Sequence, residues 1–519
     1  MKPFLDAREF PDGTDVMTDV CVIGAGAAGI TIARDLVGSG LDVLLVESGG
    51  IDPDAETQGL AGGVSVGQPY YELAATRLRY FGGSTNHWAG WCAPLGSLDF
   101  AFRPWVPASG WPLSPEELQP YFARAQETNE LASFEYDPEA WASGRYPVQE
   151  IGTDVESVIW QFSPPTRYGP EYREALEQAA NVQVVLHANV VSLDAAPGAD
   201  HVHTATLSTL LGSSLLVRAR TFVLACGGIE NARLLLLSDG VAPAGLGNEH
   251  DLVGRYFMEH AHARAATCVF AEPTKDLSLY TERASRNAFE WPRLLSRVEN
   301  RLRRTLDVLP PVVAVRGGLR LSDVAQRREG VLNGAAIMHA IDPDDAMTAD
   351  VQRSISVSAH PYDDPVNAYD LVLQLEQAPN PDSRVTLDDE IDALGLRRTR
   401  LDLRLGELDT HTLVETTRAL ARAFGTSGTG SIRFQPWVLE DPSAWHDTYW
   451  GSHHMGTTRM SDDPRSGVVD ADCRVHGVDN LYIAGSSVFP TGGFVNPTLT
   501  LVALAHRLAD HLRARGSPT

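Results

Sequence analysis

The chain has 519 residues, 43% of them hydrophobic and 21% charged, and its formal net charge is −25 at pH 7. This length predicts two or three structural units, and the composition is that of an ordinary globular protein. The strong negative charge disfavours nucleic acid and anionic membranes as partners, because both carry negative charge themselves.

The five cysteines are scattered along the chain and form no C-x-x-C pair. This usage fits a reducing compartment and gives no support for a zinc or redox motif. Residues 1–15 contain no apolar signal-peptide core, and no run approaches the roughly 18 apolar residues of a membrane span. We therefore expect a cytoplasmic protein with no membrane span, unless it is exported with a partner that carries the signal.

The first motif lies in residues 18–50 and predicts a strand, a glycine turn, a helix and a second strand. The apolar run 20–23 suits a buried parallel strand, and Gly24, Gly26 and Gly29 then give the spacing G-x-G-x-x-G. The second strand ends in Glu47, which is placed to accept a hydrogen bond from a ribose hydroxyl. This combination predicts dinucleotide binding, but the segment alone does not separate NAD from FAD.

The segment RYFGGSTNHWAGW (79–91) is a glycine-rich loop flanked by aromatic residues. Gly82 and Gly83 would let backbone approach a flat ring. Trp88 or Trp91 could pack beside that ring.

Strand and glycine signals return far from the N-terminus. Residues 181–194 predict a strand pair with Val190 near its centre, and residues 221–225 predict a strand that leads through two glycines into an apolar helix. Residues 481–484 predict a further strand, followed by Gly485, a loop and a helix from about Thr498. A nucleotide-binding domain built from separated pieces leaves the intervening sequence free to form a second domain.

His260 and His262 have strand spacing and so share one face. No cluster of carboxylates or cysteines completes a metal site around them, and we expect a structural role and no metal. Cys226 is expected to be a small buried hydrophobe, and burial is also the default for Cys92. Residues 379–387 and 399–405 predict strands of a sheet that roofs the cofactor.

The basic segment 289–311 stands out in an acidic chain, with leucine and valine at helical spacing. A surface helix packed on the acidic body is the ordinary interpretation. An arm that contacts a second subunit or covers the active site is the first alternative, and membrane attachment is the second.

In GSHHMGTTRM (451–460) two histidines, His453 and His454, are adjacent. Neighbouring side chains point to opposite faces of an extended segment and diverge by about 100° in a helix. The spacing therefore argues against a shared metal site and predicts different roles for the two residues.

These segments together resemble the glucose–methanol–choline (GMC) family of FAD-dependent oxidoreductases. The matching motifs run in the family's order from residue 18 to beyond residue 500: VIGAGAAG with VESGG, RYFGGSTNHWAG, GWPLSPEELQPYFARAQE, DLVGRYFMEH, PNPDSRVTL, SHHMGTTRM and NLYIAGSSVFPTGGFVNPTLT. GGSTNHW, FSPPTRYG and HHMG look most like the sugar-oxidising branch, which includes pyranose oxidases, glycoside 3-oxidases and fructose dehydrogenases.

The resemblance implies an α/β fold, with a Rossmann-like FAD-binding domain built from discontinuous segments and an α+β substrate domain whose sheet covers the flavin. The implied layout assigns 1–100, 181–262 and 440–519 to the FAD domain, 101–180 to a cap or connecting segment, and 263–439 to the substrate domain. The residues expected to hold FAD are Gly24, Gly26, Ala27, Gly29, Glu47, Ser48, Gly82, Gly83, Ser84, Asn86, His87, Trp88, Val190, Ala225, Gly485, Ser486, Asn496, Pro497 and Thr498.

The family pattern implies that His453 is the catalytic base and that Asn496 is its partner. Histidine suits proton removal because its ordinary pKa lies near working pH. Two alternatives stay open at this stage, namely that both histidines are structural or that His454 is the base.

His87 occupies the position at which some sugar-oxidising relatives bond histidine to the flavin 8α-methyl group. Other relatives hold FAD without a bond, and the residues between Gly83 and His87 differ from the pyranose-oxidase form. Covalent attachment and simple hydrogen bonding near the cofactor are therefore both retained.

The implied reaction is oxidation of a C2 or C3 hydroxyl of a pyranose sugar or glycoside, with hydride transfer to flavin N5. A non-sugar alcohol, or lyase chemistry on the same fold, is the first alternative. A flavin-binding module without catalysis is the second. Oxygen, a quinone or another electron acceptor is expected as co-substrate, while the oligomeric state stays undetermined.

Overall fold

The computed structural model describes residues 4–141, 147–164, 166–272, 275–281, 314–341 and 368–516. The basic segment 289–311, with its three proposed roles, lies outside these ranges. Within them, no helix combines the length and apolar character needed to cross a membrane.

The strands and α-helices alternate along much of the described chain. The strands are β1 (Phe4–Asp6), β2 (Thr14–Ile23), β3 (Val43–Val46), β4 (Gly63–Gly67), β5 (Trp91–Cys92), β6 (Val155–Phe162), β7 (Val182–Leu186), β8 (Asn189–Ala195), β9 (Val202–Ser208), β10 (Ser214–Leu224), β11 (Ala261–Phe270), β12 (Ala314–Leu321), β13 (Gly334–Ala340), β14 (Ala368–Leu375), β15 (Arg384–Ile391), β16 (Arg397–Leu403), β17 (Gly430–Phe434), β18 (Thr448–Trp450) and β19 (Leu481–Ile483). The α-helices are α1 (Ala27–Asp35), α2 (Ala55–Gly59), α3 (Ser97–Phe100), α4 (Pro115–Thr128), α5 (Pro138–Trp141), α6 (Tyr168–Glu177), α7 (Gly227–Leu237), α8 (Asp323–Glu329), α9 (Glu407–Ser427), α10 (Pro436–Glu440) and α11 (Thr498–Gly516).

The first sheet has the order β1-β7-β3-β2-β10-β9-β8, with β19 beside β10. The pairs from β1 to β10 and the pair β10–β19 are parallel, whereas β10–β9 and β9–β8 are antiparallel. The end of β2 and all of β3 are buried apolar residues, as expected for parallel strands covered on both faces. The predicted Rossmann-like domain built from separated segments is confirmed.

The strand pair predicted over 181–194 is wrong in one respect. Both strands form, but β7 pairs with β3 and β1, whereas β8 pairs with β9 on the antiparallel side of the same sheet. A local sequence pattern predicts that strands exist but does not determine which partner each one finds.

The second sheet is antiparallel, with the order β17-β11-β14-β13-β12-β6-β5 and with β18 paired to β11. His262 on β11, Ile337 and His339 on β13 and Gln374 on β14 line the large cavity described below. This sheet is therefore the one that faces the site. The proposed domain boundaries remain a prediction.

The strands predicted at 379–387 and 399–405 do form, as β15 and β16, but they do not roof the cavity. They join β4 in a separate three-stranded sheet in which β16 runs parallel to β4. No residue of β15 or β16 lines the cavity. The prediction was wrong because strand 63–67, distant in sequence, provides their partner.

Close backbone packing holds α1 against the turn that follows β2. A Cβ atom added at Gly29 would lie 1.9 Å from the carbonyl oxygen of Gly24. Helix α1 also packs against α11, the C-terminal helix, which in turn contacts α4. The third glycine of the motif is therefore a packing requirement that ties the nucleotide turn to the body of the protein.

The Gly29→Ala variant is expected to lose thermal stability and bound FAD, because the new methyl group would push α1 away from the turn. Gly425→Ala is the matched control, since Gly425 lies exposed within α9 and its Cβ would meet no atom within 4 Å. Removing a helical glycine there should leave stability unchanged or raise it by about 0.5–1 kcal/mol. Thermal unfolding and FAD content of the purified variants measure both effects, and equal melting temperatures for the two would contradict this account.

Candidate active site

A cavity of about 770 Å³ opens where parallel strands of the first sheet end. The residues that follow β2, β3, β10 and β19 line it on one side, and the antiparallel sheet lines it on the other. Ligands of open α/β sheets bind at this position, outside the carboxyl ends of the strands, and the volume is in the range of cofactor sites.

The turn after β2 fits a dinucleotide. Gly24 has a φ of +106°, and a Cβ there would lie 2.6 Å from the carbonyl oxygen of Ala225, so only glycine is accommodated. A Cβ at Gly26 would enter open space at the cavity wall, where backbone and the N-terminus of α1 can approach phosphate instead.

Glu47 lies beside this turn and is almost fully buried. Its carboxylate accepts the Ala25 N–H at 2.9 Å and the Gly49 N–H at 3.0 Å, and the Ser48 hydroxyl donates to it at 3.1 Å. Both Glu47 and Ser48 line the cavity. The acid is thus fixed in place with lone pairs left for a ribose hydroxyl.

Most of the residues predicted to hold FAD come together at this cavity. The predicted residues that line it are Gly24, Gly26, Ala27, Glu47, Ser48, Gly83, Ser84, His87, Trp88, Val190, Ala225, Gly485, Ser486, Asn496, Pro497 and Thr498. Gly29, Gly82 and Asn86 do not line it.

Gly82 and Asn86 instead build the loop that carries their neighbours. The Gly82 N–H donates to the carbonyl oxygen of Ala25 at 2.8 Å. The Asn86 side chain donates to the carbonyl oxygen of Phe81 at 2.8 Å and accepts the Gly169 N–H at 3.2 Å. These bonds hold the loop against the nucleotide turn, and the predicted direct contact of Gly82 and Asn86 with FAD stays a prediction.

His87 is exposed at the cavity wall, with its Nε2 2.8 Å from the hydroxyl of Tyr80. The indole N–H of Trp88 donates to the carbonyl oxygen of Thr166 at 2.8 Å. The loop therefore presents a histidine ring to the cavity and anchors the following tryptophan to the protein.

A cluster of largely buried charges lies beside Ser48 and was not predicted from the sequence. Arg79 donates from Nε to the Ser48 hydroxyl at 3.2 Å and pairs with Glu230 at 3.2 Å, and Arg77 pairs with Glu230 at 2.7 Å. Burial opposes ionisation of Glu230, but Arg233, Arg77 and Arg79 outweigh it and lower the pKa of this carboxyl. Arg77, Arg79 and Glu230 line the cavity. Arg79 begins the motif RYFGGSTNHWAG, but nothing in the sequence predicted that the three charges would meet.

His453 and Asn496 are in contact at the wall of the cavity. The Asn496 side-chain nitrogen is 3.1 Å from Nε2 of His453, and both residues line the cavity. Nδ1 of His453 is 2.8 Å from Nδ1 of His260. The predicted catalytic pair is therefore brought together from segments 43 residues apart, with a third residue, His260, behind it.

Glu259 is fully buried and holds the backbones of His260 and His453 in place. Its Oε1 accepts the backbone N–H of His260 at 2.8 Å and that of His453 at 2.7 Å, and the Tyr70 hydroxyl donates to its Oε2 at 2.7 Å. Burial raises the pKa of Glu259 to about 7. The motif DLVGRYFMEH contained this residue, but only the fold shows that it lies under both histidine backbones.

Ser452 makes the turn that aims the His453 N–H at Glu259. Its φ is +57°, a left-handed conformation that a residue with a Cβ adopts at a cost of roughly 1–2 kcal/mol. Such strain concentrates at functional sites, where the surrounding contacts hold it.

His454 also lines the cavity, but its side chain makes different contacts from that of His453. Its Nε2 is 2.9 Å from the Tyr70 hydroxyl, its ring packs against Phe257, and its carbonyl oxygen accepts the Ser486 hydroxyl at 2.7 Å. His262 stacks on Tyr449 with ring centres 4.8 Å apart, at the cavity wall. The structural role expected for His260 and His262 stays a prediction. The described residues contain no cluster that could hold a metal ion.

All four histidines are poised to stay neutral. Burial, followed by the neighbouring imidazoles His260, His262 and His454, holds the pKa of His453 well below its usual 6.5. Burial likewise lowers the pKa of His260 to about 4, and that of His262 and His454 to about 3. An imidazole in this cluster therefore has a lone pair available at neutral pH.

The thiols near the site are inert. Cys226 lines the cavity at the turn after β10, donates to the carbonyl oxygen of Ile23 at 3.2 Å, and has a pKa raised to about 12 by burial. Cys92 is fully buried, and burial raises its pKa as well. Neither carries a thiolate at neutral pH.

Two family patterns match the chain. Residues 19–244 match the FAD dependent oxidoreductases, and residues 379–505 match the GMC oxidoreductases. The first match contains the turns after β2, β3 and β10, and the second contains His453 and Asn496.

Sequence similarity to known oxidases spans nearly the whole chain for one relative and about a quarter of it for another. The 6'''-hydroxyparomomycin C oxidase of Streptomyces lividus is 26% identical over 97% of this chain and 93% of its own length. The C-glycoside 3-oxidase of Arthrobacter globiformis is 35% identical over 24% of this chain and 23% of its own length. Among solved structures, a fungal aryl-alcohol oxidase shares the fold with a TM-score of 0.59 and 14% identity, covering 98% of this chain and all of its own.

The buried histidines predict acid sensitivity. When the pKa of a histidine is lower in the folded protein than its unfolded value of about 6.5, the protein loses stability as pH falls. The loss is about 1.4 kcal/mol per pH unit between the folded and the unfolded pKa. His262 has a folded pKa of about 3. The wild-type protein should therefore lose unfolding free energy between pH 6.5 and pH 5, and the His262→Phe protein should lose about 2 kcal/mol less over the same range.

Chemical denaturation at a series of pH values measures this difference. Glu259, with its raised pKa, contributes in the opposite sense, because its contribution is lost as pH rises from about 4.5 to about 7. That contribution is common to both proteins and cancels. His203→Phe, at an exposed position on β9, is the matched control. A His262→Phe protein that keeps the wild-type slope would show that His262 does not titrate on unfolding.

Proposed function

Because residues 19–244 match the FAD dependent oxidoreductases and residues 379–505 match the GMC oxidoreductases, we propose that the chain is a GMC-type FAD-dependent oxidoreductase that oxidises a C2 or C3 hydroxyl of a pyranose sugar or glycoside to the ketone. FAD bound in the cavity supplies the acceptor for the hydride. The observation that carries the proposal is the 3.1 Å contact between Nε2 of His453 and the side-chain nitrogen of Asn496 inside the cavity.

In the proposed reaction His453 accepts the hydroxyl proton of the substrate. Its low pKa keeps the ring neutral at working pH, which is the form a base needs. The Asn496 amide then donates to the oxygen on which negative charge develops, where a hydrogen bond from a fixed donor has its largest effect on the barrier. The two side chains thus divide proton acceptance and charge stabilisation between them.

The sugar class is supported by the names of the similar proteins. One is named for a C-glycoside and position 3, and another for 6'''-hydroxyparomomycin C. Because the second relative covers nearly the whole chain, oxidation of a 6-hydroxyl group is a second candidate. A non-sugar alcohol or lyase chemistry is the further alternative, and retention of both His453 and Asn496 argues against a module without catalysis.

His87 has two alternative roles that one experiment separates. It is exposed at the cavity wall, and its contact with Tyr80 through Nε2 leaves Nδ1 uncommitted. Flavin that stays with the acid-precipitated protein and is lost in His87→Ala establishes a covalent bond. Flavin released entirely into the supernatant leaves His87 as a hydrogen-bonding neighbour.

Anaerobic titration of the holoenzyme tests the substrate class. We expect pyranoses or glycosides to bleach the flavin absorbance, and analysis of the product to show a ketone at C2 or C3. A product oxidised at the 6-hydroxyl group would favour the second candidate. If only simple alcohols, and no sugar or glycoside, bleached the flavin, the sugar class would be rejected. Admission of air, then of a quinone, identifies the electron acceptor.

His453→Ala should lower the rate of flavin reduction by about 10²–10⁴-fold while FAD remains bound, because the proton acceptor is removed. Asn496→Ala should lower it by about 10²–10³-fold, because the charge-stabilising donor is removed. Anaerobic stopped-flow absorbance with the best substrate measures both rates. The exposed His203→Ala is the matched control, and an unchanged rate in His453→Ala would show that His453 is not the base.

A further inference from the structure

The base needs one particular tautomer. A neutral imidazole carries its hydrogen on either Nδ1 or Nε2, and only the bare nitrogen can accept a proton. The nitrogen of His453 that faces Asn496 is Nε2. His453 can therefore act in the proposed reaction only when its hydrogen sits on Nδ1.

A backbone carbonyl fixes the tautomer of the neighbouring ring, His260. Nε2 of His260 lies 2.8 Å from the carbonyl oxygen of Gly493, and a carbonyl oxygen accepts hydrogen bonds but cannot donate them. Nε2 of His260 must therefore carry the hydrogen. His260 is fully buried and its pKa is lowered to about 4, so the ring is neutral and its Nδ1 is bare.

The bare Nδ1 of His260 then determines the state of His453. The two Nδ1 atoms are 2.8 Å apart, and one of them must donate. Since His260 has no hydrogen on that atom, the donor is His453. Its Nδ1 therefore holds the hydrogen, and its Nε2 presents a lone pair.

The side-chain amide of Asn496, which faces Nε2 of His453, is oriented by a hydrogen bond from Gln374. The side-chain nitrogen of Gln374 donates to the carbonyl oxygen of Phe494 at 2.5 Å and to the side-chain oxygen of Asn496 at 3.4 Å. The Asn496 oxygen is thereby turned toward Gln374, and its N–H₂ group is turned toward Nε2 of His453. A lone pair on that Nε2 is what an amide donor at 3.1 Å requires.

We propose that His260 is a positioning residue that, through the Gly493 carbonyl, holds the catalytic base His453 in the tautomer with a bare Nε2. This inference rests on the proposed role of His453. His262 and His454 do not take this part, because the His262 ring centre is 6.3 Å from that of His453 and His454 bonds to Tyr70. Glu259 contacts His453 through the backbone N–H and leaves the ring tautomer free.

Two substitutions separate the tautomer role from packing. His260→Leu removes the acceptor for the His453 Nδ1–H, whereas His260→Gln retains a side-chain N–H for Gly493 and an oxygen for His453. We expect flavin reduction to slow by at least about tenfold in His260→Leu, as for other residues that orient a reacting imidazole, and to be largely restored in His260→Gln. FAD content and melting temperature are recorded for both.

The second readout is the tautomer itself, from ¹⁵N chemical shifts of histidine-labelled holoenzyme, with His453→Gln used to assign the signal. Wild type should show His453 with a protonated Nδ1 and a bare Nε2, and His260→Leu should show a mixture. A protonated Nε2 in the wild type would overturn the inference, even if His260→Leu failed to fold. Equal reduction rates in folded Leu and Gln variants would overturn it too.

The outcomes also separate this inference from the proposed function. If His453→Ala reduced its flavin at the wild-type rate, His453 would not be the base, and the proposed role of His260 would fall with it. If His453 proved essential but its Nε2 carried the hydrogen, the function would stand and the His260 inference alone would fail.

Discussion

Parallel strands that end at one edge of the first sheet are the constraint on which the site depends. Strands β2, β3, β10 and β19 come from opposite parts of the chain, yet hydrogen bonding in register brings their carboxyl ends together. The residues that follow them are therefore neighbours whatever their distance in sequence. The nucleotide turn, Glu47, Ala225 and Gly485 all reach the cavity in this way. The segments between them are free to build the antiparallel sheet on the other side.

The sequence was informative where the chemistry is local. Gly24, Gly26 and Glu47 belong to one strand–turn–helix–strand unit, and their spacing alone predicts the turn. Gly82 and Asn86 were assigned to the cofactor because they share a motif with Gly83 and His87. Within one loop, however, some residues must hold the backbone while their neighbours face outward. Arg79 and Glu259 lie in recognised motifs and Tyr70 lies in none, but no motif predicts the roles of the three residues, which arise from contacts with residues far away in the chain.

The lowered pKa of His453 makes it a weak base, but the proposed reaction does not require a strong one. A pKa well below 6.5 keeps His453 neutral but reduces its intrinsic affinity for a proton. The alcohol proton, however, becomes strongly acidic as the hydride leaves, because the product carbonyl oxygen cannot retain it. Proton transfer then needs a well-placed lone pair more than a strong base. The hydrogen bonds around His453 therefore contribute geometry and tautomer, while burial sets the charge state.

The same arrangement constrains where the proton goes next. Once Nε2 of His453 is protonated, the Nδ1–H still points at His260, whose own Nε2–H points at the Gly493 carbonyl. A carbonyl oxygen cannot pass a proton onward, so this chain of hydrogen bonds ends inside the protein. Burial disfavours a lasting positive charge at this position. In the proposed cycle the proton must then leave through Nε2, by the route on which it arrived. Its release therefore requires that product, solvent or the electron acceptor has access to Nε2 through the cavity.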